Sequence, residues 1–126
     1  MTDPRSTEAV GDLRRAVVEK RREIAALKRL DDPAAVETAL GSLADLYRAQ
    51  GRMHRVIDCG EETVARRRSR DDHLGMVDAF DALADLMVEV GRPDSEYRYR
   101  EAARRLRLRT DPLRQGASCR TRSDSS

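Results

Sequence analysis

Apolar residues recur at spacings of three and four along most of the chain. Val36, Ala39, Leu40, Leu43, Ala44 and Tyr47 follow this pattern, and so do Met76, Ala79, Phe80, Leu83, Ala84 and Met87. Such spacing places side chains on one face of a helix. It predicts helices at about 33–50 and 73–90. Asp32-Pro33 suits a helix start: the Asp side chain can cap, and Pro at the first helical position gives up no needed N–H. Gly51 and Gly91 suit the ends, because glycine tolerates the left-handed conformation that closes a helix. A further helix is expected after each glycine. Met53, Ile57 and Val64, with Val56 beside them, mark one; Tyr97, Tyr99, Ala102, Ala103 and Leu106 mark the other. Leu13, Ala16, Val17, Ile24 and Leu27 predict an earlier helix at about 12–30. Gly41, Gly60 and Gly75 interrupt these patterns, each at a cost of up to about 1 kcal/mol against Ala.

The pattern repeats every 40 residues. Leu43-Ala44-Asp45-Leu46 returns as Leu83-Ala84-Asp85-Leu86, Gly51-Arg52 as Gly91-Arg92, and Asp31-Asp32 as Asp71-Asp72. Residues 29–52 and 69–92 share nine identities in 24 positions, where this composition gives about two by chance. The expected organisation is a flexible head at 1–11, a helical domain at 12–111 and a disordered Arg/Ser-rich tail at 112–126.

The string Ala39-Leu40-Gly41-Ser42-Leu43-Ala44-Asp45-Leu46-Tyr47-Arg48-Ala49-Gln50-Gly51-Arg52 resembles the tetratricopeptide repeat, as does its copy from Ala79 to Arg92. The period is similar to the longer variant of kinesin light chains and many bacterial regulators. The resemblance covers about 12–108. It is weaker on the second helices, where Val56, Gly60, Glu96 and Arg100 stand at places that the family gives to Ala and aromatics. It implies an all-α antiparallel helix-pair solenoid of five helices, or about two and a half repeats. It also implies a non-catalytic adaptor that binds a protein segment or assembles with itself. Carried over from the family, the groove-facing positions are Thr38, Asp45 and Arg48, then Asp78, Asp81, Asp85 and Glu89. About three repeats are usually needed to bury a solenoid's apolar faces. A homodimer through the helix at 12–30 is therefore expected, or else a partner that supplies the missing surface.

Charge sharpens this picture. Charged residues make up 38% of the chain and aromatics 3%. The net charge of +2 divides unevenly: residues 98–122 carry +7, residues 1–97 carry −4, and Asp124 adds −1. Asp78, Asp81, Asp85 and Glu89 stand three, four and four apart, so they share one side of a helix. That stripe suits a basic peptide, and the Arg-rich tail could itself fold onto it. Arg98, Arg100, Arg104, Arg105, Arg107 and Arg109 form a basic end, which supports nucleic-acid association as the alternative function through backbone phosphates. With so few aromatics there is no stacking platform for bases. The run Arg66-Arg67-Arg68-Ser69-Arg70 ends a helix, where cations are favoured.

No catalytic or metal spacing appears, so an enzyme, a cofactor and a metal are not expected. His73 beside Asp71-Asp72 is better explained by helix capping. No apolar run is long enough to span a membrane, and no leader pattern opens the sequence. Cys59 and Cys119 lack ligand spacing, which fits a reducing cytoplasm. Cys59 reads as a small buried or half-buried filler, and Cys119 as a free, exposed thiol in the tail.

Overall fold

The computed structural model describes the backbone of residues 4–110 and the side chains of residues 7–110. These residues form an all-helical, repeat-like fold without a strand. The helices are α1 (Pro4–Arg29), α2 (Pro33–Ala49), α3 (Met53–Ser69), α4 (His73–Val90) and α5 (Pro93–Thr110). Two compact units divide the chain after Thr63, a point that falls inside α3. None of the described helices is long and apolar enough to cross a membrane.

The first unit pairs α1 with α2. Val17 and Ile24 of α1 are buried, as are Val36, Ala39, Leu40, Leu43 and Tyr47 of α2. Lys28 near the end of α1 reaches Glu62 of α3 at 3.5 Å. The Arg52 guanidinium lies over the Tyr47 ring, 5.3 Å from its centroid, a cation–π contact. Cys59 is buried, and burial, with Glu62 and Asp58 nearby, pushes its thiol up to about 11. It is therefore a neutral packing group at physiological pH.

The second unit pairs α4 with α5. Met76, Val77, Ala79, Phe80, Leu83, Ala84, Leu86 and Met87 are buried on α4, and Ala103 and Leu106 on α5. The Phe80 and Tyr99 rings meet at 6.2 Å between centroids. Asp85 is linked to Arg100, and Asp81 to Arg107. Going back along α4 is thus going forward along α5, so the two helices are antiparallel. Arg67 Nη1 donates to the Gly75 carbonyl at 2.7 Å, tying the end of α3 to the first turn of α4.

The 40-residue period extends to backbone geometry. Asp31 and Asp71 both have φ 53°, while Gly51 has φ 73° and Gly91 φ 71°. Asp32 Oδ1 accepts the Ala35 N–H at 3.2 Å, and Asp72 Oδ1 accepts the Gly75 N–H at 2.9 Å. The N–H of Arg52 donates to the Tyr47 carbonyl and that of Arg92 to the Met87 carbonyl, each at 2.9 Å. These bonds satisfy carbonyls that a helix end otherwise leaves unpaired. The Asp-Asp doublet therefore has divided duties. Its first member adopts the left-handed conformation that ends one helix, and its second caps the next. Gly75 also has a steric reason: a Cβ there would lie 2.1 Å from Asp72 Oδ2.

Two expectations need correction. The flexible head at 1–11 gives way to helix from Pro4 onward. Pro4 is a good first helical residue, and Gly11 interrupts α1 without ending it, since one interior glycine costs only about 1 kcal/mol. Tyr97 does not join the packed face of α5, being 70% exposed. The buried phase runs through Ala103 and Leu106, with Tyr99 one turn earlier against Phe80. The tail at 112–126, Cys119 included, lies outside the described residues, as do residues 1–3.

Candidate functional site

The expected site residues fall on three helices. Thr38, Asp45 and Arg48 are exposed on α2. The Thr38 hydroxyl donates to the Ala34 carbonyl of its own helix at 3.0 Å. Asp45 borders an open hollow of about 390 Å³ shared with Glu19, Lys20 and Glu23 of α1. Lys20 is already held there by Glu23 at 2.7 Å. These three residues belong to the first unit, and the acidic set on α4 to the second.

On α4, Asp78, Asp85 and Glu89 are exposed and Asp81 is half-buried. The stripe does not stand alone. Arg100 Nη2 donates to Asp85 Oδ1 at 3.1 Å, and Arg107 donates to Asp81. Two of the four carboxylates thus already hold guanidinium groups from α5. The sequence suggests a basic peptide for this stripe, with the tail as a further possibility; these two guanidinium groups come from α5, and the tail lies outside the described residues.

The basic end is largely engaged within the chain. Arg100 Nε also donates to Glu96 at 2.8 Å. Glu96 and then Asp85 hold the Arg100 pKa above its ordinary value. Arg104 makes two hydrogen bonds to Glu101, at 2.9 and 2.6 Å. Those bonds push Arg104 up and Glu101 down from their usual values. Arg105 lies 3.4 Å from Glu101, and Arg98 donates to the Ser95 hydroxyl at 3.0 Å. Among the described residues, only Arg109 of this set makes no hydrogen bond or ion pair. The basic character read from the sequence at this end is therefore mostly neutralised by Glu96, Glu101, Asp81 and Asp85.

Arginines without such partners lie on α1 instead. Arg14, Arg21, Arg22 and Arg29 are exposed, and none makes a hydrogen bond or ion pair with a described residue. The signal that could have revealed them is a seven-residue recurrence: Arg14-Arg15, Arg21-Arg22, Lys28-Arg29. Arg14 also borders an open hollow of about 430 Å³ with Val10, Leu13, Ala49, Gln50 and Arg52.

Among the described residues, no three His, Cys, Asp or Glu side chains converge to hold a metal ion. Asp72 beside His73 accepts the Gly75 N–H, so its carboxylate serves as a helix cap. No family model, curated protein or solved structure matches the chain.

Proposed function

We propose that this chain is a non-catalytic adaptor, built as an antiparallel helix-pair solenoid of tetratricopeptide type. In this reading the acidic face of α4 takes an Arg- or Lys-rich protein segment in the cytoplasm. The 40-residue recurrence of caps and left-handed turns supports the repeat architecture. The observation that carries the binding reading is the stripe's own chemistry. Asp81 and Asp85 accept guanidinium groups across a helix–helix contact, and Asp78 stands exposed one turn before them. Charge-assisted hydrogen bonds of this kind are among the stronger ones proteins make. A basic segment would extend the ladder that Arg100 and Arg107 begin, or displace them from it.

Titrating the full chain with a fluorescent Arg/Lys-rich peptide tests this. Binding is expected, weakened by Asp78→Asn and strengthened by Arg107→Ala, which releases Asp81. A peptide that fails to bind, or that ignores both substitutions, overturns the proposal. Tighter binding to duplex DNA than to the peptide transfers the function to nucleic acid.

A further inference from the structure

The outer face of α1 is built like one half of a helix–helix seam. Gly11, Val18 and Ala25 stand seven residues apart. They form a line of small side chains in which successive members are about 10.5 Å apart along the helix. Val18 is 48% exposed and Ala25 is exposed as well. A Cβ added at Gly11 would meet nothing within 4 Å, so the seam is open at that end. Val17 and Ile24, which are buried, lie about 100° further round the helix.

Basic doublets flank this line with the same period. Arg14, Arg21 and Lys28 run along one side, and Arg15, Arg22 and Arg29 along the other. Arg15 pairs with Asp12, and Lys28 with Glu62. The other four arginines make no polar contact with a described residue. Arg14, Arg15 and Arg22, with Glu19 as the one acid, frame a shallow hollow of about 360 Å³ over Val18.

We propose that this face of α1 docks an acidic amphipathic helix from another protein, one whose carboxylates also recur every seven residues. A seven-residue period is that of two helices packed side by side, where charges flanking an apolar line select the partner. Small residues on the line let the helix axes come close. The two basic rows call for two acidic rows. A nucleic-acid backbone makes no use of the apolar line, and no aromatic side chain on this face offers stacking to bases. A second copy is the poorer fit. Two α1 faces would set arginines against arginines, and the α4 carboxylates Asp78, Asp81, Asp85 and Glu89 form one row rather than the two rows that the doublets call for. The inference does not rest on the reading of α4, because the two surfaces take ligands of opposite charge.

The test is fluorescence anisotropy of the full chain with a synthetic three-heptad helical peptide carrying Glu doublets around an Ala/Val line. An isomer of the same composition in scrambled order is the control. The ordered peptide should bind at least about tenfold more tightly, a difference of about 1.4 kcal/mol. Arg21→Glu with Arg22→Glu should abolish binding, and Ala25→Gln, which leaves the charge unchanged, should remove the preference for the ordered peptide. Arg98→Glu with Arg109→Glu on α5 should leave that preference intact. Equal affinity for the two peptides overturns the proposal, as does binding that survives the double reversal on α1. It is also overturned if duplex DNA competes the peptide away at equal concentration, or if the chain self-associates and the α1 reversal dissociates it. Circular dichroism of each variant separates lost binding from lost helix.

Discussion

Helices α1 and α5 are both rich in arginine, yet they use it in opposite ways. On α5, acids sit three or four residues from the arginines: Glu96 with Arg100, and Glu101 with Arg104 and Arg105. Asp81 and Asp85 of α4 supply two more partners. On α1 the doublets repeat at seven, and four arginines are left without a described partner. Arginine content alone therefore does not locate a binding surface. Acids also stand three or four residues from arginines on α1, as Glu19 does from Arg15 and Arg22, so it is the acidic helix packed beside α5 that draws its cationic charge into the fold.

The two helix pairs also differ in core, and that difference can be tested most severely. Leu83 of α4 is 1% exposed. Leu83→Ala should lower stability by about 2–5 kcal/mol in chemical denaturation, because it removes buried methyl groups and leaves a cavity. Val17→Ala on α1 removes a smaller side chain from a thinner buried face and should cost about half as much. Equal losses would show that the α1–α2 pair is as tightly packed as α4–α5.

Caps give the next largest effects. Asp72→Ala should cost about 1 kcal/mol, by leaving the Gly75 N–H without its acceptor. Asp71→Gly should act in the opposite direction and stabilise by up to about 1 kcal/mol, since φ 53° strains any residue with a Cβ. The same two changes at Asp32 and Asp31 should give matching signs. A mismatch would show that the repeat is not energetically equivalent in its two copies.

The smallest effect concerns acid. The hydrogen bonds from Arg104 hold Glu101 below its ordinary value of 4.5. A lowered folded pKa adds stability that is complete above the unfolded value and is lost as pH falls through the folded one. Glu101→Gln should therefore weaken the second unit slightly at neutral pH, with the difference vanishing in acid. A difference independent of pH would show that Glu101 contributes through packing rather than charge.

Much of the fold was legible in the sequence because it is local. The helix ends at Asp32, Gly51, Asp72 and Gly91 follow from residue chemistry within four positions. The apolar faces of α2 and α4 follow from spacing alone, whereas spacing left Cys59 buried or half-buried and the fold buries it. Legibility failed where short-range rules compete. Gly11 and the apparent polarity of the head concealed the start of α1 at Pro4. The phase of α5 was misread because Tyr97 is aromatic, and an aromatic invites a place in the core. The acidic stripe on α4 was visible in the sequence, but its occupation by Arg100 and Arg107 was not.

By itself, then, the sequence determined that there are five helices, their period of 40, and the turns made by Asp32, Asp72, Gly51 and Gly91. These depend on side chains acting on their own backbone a few residues away, where covalent connection fixes the geometry. Only the tertiary structure decided which charges remain available. Asp81 and Arg107 are 26 residues apart, and nothing in their local sequence brings them together. The antiparallel packing of α4 on α5 does so, whereas the packing of α1 leaves its arginine doublets facing outward. Availability of charge depends on how helices are set side by side, which no single helix encodes.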